Sequence, residues 1–229
     1  MSNDAFTPIN RALADCYIRK WDILREALVN YPGLSTPYLA YVHPHYEEAR
    51  IRLVVIGKET NGWGNPADIV PLTAENAVRR QMEEYANFSL GEHYPKKQAF
   101  WTPVYELYRR LNPGGGRYGF MALNVALMDY KCRTPSNDVR KIIISTGLLQ
   151  EQIRILDPHI VVFYSGPTYD PWLKLMFPDI APPADRWLSR LSSSALPIHT
   201  YRTYHPQYLN RRSMRTHIHD RIYQDFNAQ

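Results

Sequence analysis

The stretch RLVVIGKETNGWG, Arg52 to Gly64, decides how the rest of the chain is read. Leu53 to Ile56 is apolar and largely β-branched, the composition of a strand buried on both faces. Past Gly57 the character changes at once, to Lys58, Glu59, Thr60, Asn61 and Trp63, with Gly62 and Gly64 among them. A buried strand that opens directly onto a carboxylate, an amide and an indole ends either in an ordinary turn or at the lip of a site. A phosphate-cradling P-loop is excluded, because Lys58 directly follows the strand glycine and no Gly-Lys-Ser/Thr follows.

Working outward, INRALADCYIRKWDILREALVN, Ile9 to Asn30, carries Leu13, Cys16, Tyr17, Trp21, Leu24 and Leu28 at helical spacing and stops at YPG. A loop with Pro37 and Pro44 leads into the strand IRLVVIG. TAENAVRRQMEEYANF reads as a helix capped by Thr73, and KQAFWTPVYELYRRL as another, with Pro103 near its start or at a kink. GFMALNVALMDY begins as a buried strand. NDVRKIIISTGLLQEQIRILDP is expected as one capped helix, HIVVFYSG as a third strand, TYDPWLKLMF as a short helix and FPDIAPPADRW as a proline-rich loop. LPIHTYRTYHP supplies a fourth strand, and QYLNRRSMRTHIHDRIYQDF a terminal helix with a basic first half. Strands alternating with helices imply an α/β fold: three layers, α/β/α, around a central, mostly parallel four-stranded sheet. The expectation is a single domain over residues 1–229, with 1–50 as an N-terminal helical extension packed on it.

The chain has 229 residues, 45% hydrophobic and 13% aromatic, with seventeen Tyr and five Trp, a composition suited to a sizeable core and to surfaces that stack on bases. The net charge of +5 favours an anionic partner such as nucleic acid. Cys16 and Cys132 are far apart and form no CxxC, which argues against zinc and iron–sulfur sites. His43 and His45, like His217 and His219, stand two apart and point to different faces of a helix, so no metal is expected there. Arg109-Arg110 and Lys96-Lys97 read as solvated helix faces. MSNDAFTPINRALADC has neither signal- nor transit-peptide character, and no apolar run approaches the roughly 20 residues of a membrane span. A cytoplasmic monomer without membrane contact is expected.

Ligands of parallel sheets bind beyond the carboxyl ends of the strands. That rule selects the loops after Gly57, near Asn124, after Gly166 and after Tyr204. In the last, His205 is restrained by Pro206, and a neutral imidazole can donate to a developing anion. Arg211, Arg212 and Arg215 follow where phosphate contacts are natural at a helix start. Asn124 places a donor and an acceptor side by side inside an apolar run.

Four segments, LVVIGKETNGW, FMALNVALMDYKC, LDPHIVVFYSGP and TYHPQYLNRR, resemble in order the uracil-DNA glycosylase superfamily. That family has a strand ending in a motif such as GQDPYH, GxNPG or GEAPG, an apolar LLLNxxLT strand, a P-x-V-I-V-x-L-G strand and a late HPSPL motif before an Arg-containing helix. The resemblance spans about Ile51 to Phe226. It implies a uracil-DNA glycosylase-like fold and a monofunctional DNA glycosylase that hydrolyses the N-glycosidic bond of a flipped uracil or other modified base, with no cofactor. Glu59 falls at the family's water-positioning residue, Asn124 at its base-reading Asn, and His205 at the histidine that hydrogen-bonds the departing base. Leu209 falls at the wedge that fills the space left by the flipped nucleotide, and Arg211, Arg212 and Arg215 at the DNA-contacting helix. Thr60 stands where the family has Pro, and Gln207 where it has Ser. Trp63 and Tyr169 are the candidates to stack on the base, with Asn61 beside them. The alternative is a member of the same fold that binds nucleic acid or a nucleotide without cleaving it. A more distant one is an α/β hydrolase using Asp129 or Asp170 with a histidine.

Overall fold

A computed structural model describes residues 6–92 and 98–228. In chain order its elements are α1 (Pro8–Asn30), α2 (Pro44–Glu47), β1 (Leu53–Glu59), α3 (Ala74–Phe88), α4 (Gln98–Leu111), β2 (Phe120–Ala126), α5 (Asn137–Thr146) and α6 (Leu148–Leu156). They continue with β3 (Ile160–Phe163), α7 (Asp170–Met176), β4 (Leu188–Arg190), β5 (His199–Thr203), α8 (Pro206–Arg211) and α9 (Arg215–Asn227). The fold is α/β, with one mostly parallel sheet in the order β2-β1-β3-β5-β4, flanked by helices. Leu53 to Ile56 pair in parallel with Ile160 to Phe163, which pair in parallel with His199 to Arg202. Every residue of Leu53–Ile56 and Ile160–Phe163 is fully buried, as a sheet covered on both faces requires.

The sheet has five strands rather than the expected four. The additional one, β4, pairs antiparallel to β5, with Leu188 opposite Thr203 and Arg190 opposite Tyr201. Three residues, Leu-Ser-Arg, carry no readable alternation, and the prolines before them read as loop. Two expected helices are each broken in two. Gly147, at φ 64°, ends α5 in the left-handed region before α6 begins. Ser213, at φ 55°, separates α8 from α9. The basic pair Lys96-Lys97 lies outside the described residues.

The chain gathers into two compact units. The first comprises the described residues up to Val42, Lys58–Asn87 and Leu123–Leu156. In it α1, capped by Thr7 and opened by Pro8, lays Leu13, Tyr17, Trp21, Leu24 and Leu28 against α5 and α6. Two buried polar side chains of this unit are matched across long stretches of sequence. Gln152 donates to the Tyr17 hydroxyl at 2.9 Å. The Asn10 amide exchanges two hydrogen bonds with the Val42 backbone, at 2.7 and 2.9 Å.

The second unit comprises His43–Gly57 and the described residues of Phe88–Ala122 and from Asp157 onward. It contains β3, β4, β5 and most of β1, with α4, α8 and α9 packed together and α9 against β5. Its one fully buried guanidinium, among the largest side chains of the core, is Arg202 of β5. Arg202 pairs with Asp170 at 3.0 Å and donates to the Arg186 carbonyl at 2.8 Å. A charge so deeply buried is tolerated only with such partners.

Candidate functional site

Strand β1 stands between β2 and β3, so the sheet order reverses at β1 and β3. In doubly wound sheets that switch point, beyond the carboxyl ends of the strands, is where ligands bind. β1 runs two residues past Gly57, so Lys58 and Glu59 belong to the strand and Thr60 begins the loop.

In the first unit that loop is held by one buried carboxylate. Asp129, 1% exposed, accepts from the Thr60 hydroxyl at 2.6 Å and the Gly62 amide at 2.8 Å through one oxygen, and from the Cys132 amide at 2.6 Å through the other. Ser35 lies 3.0 Å from the Thr60 hydroxyl and accepts from the Asp129 amide at 2.9 Å. A hydroxyl has one proton: Thr60 gives its own to Asp129, and the single Ser35 proton is shared between the Thr60 hydroxyl and the Thr36 carbonyl, 3.2 Å away. Gly62 and Gly64, at φ 71° and 60°, let the loop turn back so tightly that the Trp63 carbonyl accepts from both the amide and the hydroxyl of Thr36.

The result is a rigid mount for the residues around it. Glu59 is half-buried and accepts from the Thr134 hydroxyl at 3.3 Å. Asn61 is exposed. Trp63 is half-buried with its ring edge-on to Tyr38, centroids 4.7 Å apart. Asn124 is the only residue of β2 that is not buried, and its side-chain amide makes no hydrogen bond to any described residue. An open amide in the middle of a core strand is available to a ligand's donor–acceptor edge.

In the second unit His205 caps α8. Its Nδ1 accepts from the Gln207 amide at 3.2 Å, and its ring lies 5.4 Å from that of Phe100. An Nδ1 that accepts from a backbone N–H carries no proton, so the neutral ring is the tautomer with hydrogen on Nε2.

The remaining expectations change on the structure. Tyr169 is buried at 4% exposure with its ring against Trp172, centroids 5.3 Å apart, so it serves packing rather than an open stacking face. Leu209 is fully buried, so the wedge assignment has no exposed side chain behind it. Arg211 is the last residue of α8 and Arg212 its C-cap, at the end where carbonyls point outward rather than at a helix start. Arg215 opens α9 and pairs with Glu106 at 3.3 Å. Asp129 and Asp170 are bound to the loop donors and to Arg202, and neither hydrogen-bonds a histidine among the described residues.

Two features had weaker sequence signals. Asp129 stands alone in the apolar run ALMDY, where a lone acid must find buried donors. His219 is 3% exposed, its Nε2 3.0 Å from the Tyr164 hydroxyl. Burial, then the charges of Arg215 and Arg110, lower its pKa to about 4, so it is neutral. Among the described residues no group of three or more His, Cys, Asp or Glu side chains is arranged to hold a metal ion, and no helix is long and apolar enough to cross a membrane. Compared with known proteins, the chain matches no protein-family model and no curated protein sequence.

Proposed function

We propose that this chain has a uracil-DNA glycosylase-like fold and hydrolyses the N-glycosidic bond of a flipped, modified base in DNA. The observation that carries the reading is the 3.2 Å hydrogen bond from the Gln207 amide to His205 Nδ1, which puts the hydrogen of a neutral ring on Nε2, suited to a leaving base that gathers negative charge. The order of the four sequence segments, the carboxylate of Glu59 on the terminal residue of β1 and the open amide of Asn124 support it.

In this mechanism a water oxygen bonds to the sugar C1′ as the C1′–N bond breaks. Glu59 accepts the water's proton and its negative charge stabilises the sugar cation. The bonding electrons leave with the base, which is held by a hydrogen bond from His205 Nε2 and then takes a proton from solvent, while Glu59 returns the water's proton to solvent. Asn124 reads the edge of the base. Flipping costs a few kcal/mol, least for a damaged or unpaired base.

The test is incubation with oligonucleotides carrying a panel of modified bases, followed by alkaline cleavage of abasic sites. Strand cleavage with at least one lesion, lost in Glu59→Gln and in His205→Asn, is expected. Full activity in both variants overturns the mechanism. Binding without release on every lesion assigns the chain instead to the non-cleaving, nucleic-acid-binding alternative.

A further inference from the structure

Beside His205 in the chain, the second unit gathers three half-buried aromatic rings that the proposed chemistry does not use. Trp187 lies 5.1 Å from Tyr204 and 6.1 Å from Tyr208, nearly parallel to the latter at 22°, and Tyr204 and Tyr208 are 4.7 Å apart. Two exposed arginines are held on these rings. The Arg186 guanidinium sits 5.5 Å from the Trp187 centroid and donates to the Tyr204 hydroxyl at 3.2 Å. Arg212 sits 5.4 Å from the Tyr208 centroid.

The backbone beneath is rigid. Arg202 donates to the Arg186 carbonyl at 2.8 Å and the Thr203 hydroxyl to the Trp187 carbonyl at 2.7 Å. The charge on this surface is uncompensated. Arg186, Arg211 and Arg212 form no ion pair with a described carboxylate, whereas Arg190, Arg202, Arg215 and Arg221 of the same unit each do. Asp185, next to Arg186, is taken up by the Trp187 amide at 2.7 Å and by Arg221 at 3.4 Å. Rings that hold unneutralised guanidiniums match a ligand with flat faces and a polyanionic backbone. A duplex hides its base faces, so the match is to unpaired nucleotides.

We propose that Trp187, Tyr204 and Tyr208, with Arg186 and Arg212, form a stacking surface for a single-stranded nucleic acid. The inference rests on the proposed function for the identity of that strand, the one that presents its base to His205. The surface engages neighbouring nucleotides, and its binding needs no base release.

The test is fluorescence anisotropy with labelled, unmodified oligo(dT), oligo(U) and a fully paired DNA hairpin, with heparin as a polyanion that has no bases. Oligo(dT) is expected to bind more tightly than the hairpin and to quench tryptophan fluorescence. Tyr208→Ala weakens binding roughly 5- to 150-fold, the value of one stacked base, while Tyr208→Phe retains it. Trp187→Phe retains affinity and loses the quench. Arg186→Gln with Arg212→Gln reduces the salt slope by about 1.4, two phosphate contacts on a single strand. Equal affinity for hairpin and oligo(dT), absence of binding, or Tyr208→Ala binding as wild type with unchanged melting overturns the proposal, as does heparin binding that no aromatic variant alters beside weak oligo(dT) binding. Tighter oligo(U) than oligo(dT) upholds the stacking surface and overturns DNA as the substrate. Because the probes are unmodified, loss of base release with oligo(dT) binding intact defeats the catalytic reading alone.

Discussion

The Thr60 hydroxyl donates to Asp129 at 2.6 Å, across 69 positions of sequence, and this bond fixes the loop that follows Glu59. Both side chains are buried, and Asp129 also holds the Gly62 and Cys132 amides. Threonine at this position is therefore a mounting residue: its hydroxyl does the orienting that a rigid proline ring could do by restricting the backbone. Hydrogen bonds to a buried charge are worth about 1.5–3 kcal/mol each. Asp129→Asn, which turns an acceptor into an amide donor facing backbone N–H groups, is expected to destabilise by about 2–4 kcal/mol. Thr60→Val is expected to cost about 1–2 kcal/mol, and Thr60→Ser to restore most of it. Urea denaturation of the two single variants and the double variant checks this, with a coupling of at least about 0.5 kcal/mol expected. Strict additivity would mean that the two residues do not act together.

Glu59 and His205 carry different halves of the proposed reaction, and their variants should separate. Glu59→Gln keeps the shape and removes the base, so base release should fall about 10²- to 10⁴-fold with oligonucleotide affinity unchanged. Thr134→Val removes the 3.3 Å hydrogen bond from an exposed partner to the Glu59 carboxylate and keeps the carboxylate itself, so it should lower the rate by less than about tenfold. Single-turnover kinetics on the substrate found in the lesion panel provides the measurement. A Thr134→Val loss as large as that of Glu59→Gln would contradict the secondary role given to Thr134.

What the sequence made legible follows physical lines. β1 and β3 could be read because a continuous run of buried apolar residues, four to five long, has few alternatives once glycine bounds it. Asn124 could be singled out because it is a polar residue interrupting such a run, and Glu59 because it stands just beyond the end of one. Asp129 could be seen as anomalous but not understood, because its donors come from a loop far away in sequence. Leu209 and Tyr169 went the other way: an apolar or aromatic residue in a loop or short helix reads equally well as a surface tool or a core residue, and only packing decides. The breaks at Gly147 and Ser213 were hidden because helical periodicity continues on both sides of each.

Two glycines in the left-handed region should respond differently to alanine. At Gly147, φ 64°, a Cβ would meet nothing within 4 Å, so Gly147→Ala carries only the conformational penalty of about 1 kcal/mol. At Gly64, φ 60°, a Cβ would fall 2.0 Å from the hydroxyl of Thr36, which is fully buried and donates to the Trp63 carbonyl. Gly64→Ala must displace that hydroxyl as well, and is expected to cost at least about 1–2 kcal/mol more. Thermal melts of both variants decide the matter, and equal shifts would show that the Thr36 contact gives way freely.

His219 sets a pH dependence whose direction follows from its burial. Its pKa is lowered to about 4 in the folded chain by desolvation first, then by Arg215 and Arg110, with Asp220 opposing. In the unfolded chain it takes its ordinary value of about 6.5. Between these values the unfolded state holds the proton and the folded state does not, so stability rises with pH across this window. The contribution is complete above about pH 6.5, falls as the pH drops, and is gone near pH 4, with a span on the order of 3 kcal/mol. His219→Phe removes the titrating ring and leaves the Tyr164 hydroxyl without its partner, so this variant should be less stable at neutral pH yet lose less on acidification. Urea midpoints at about pH 7 and about pH 5 compare the two proteins directly. If the wild type and His219→Phe lose the same stability between those conditions, the acid sensitivity arises elsewhere and His219 is not buried in its neutral form.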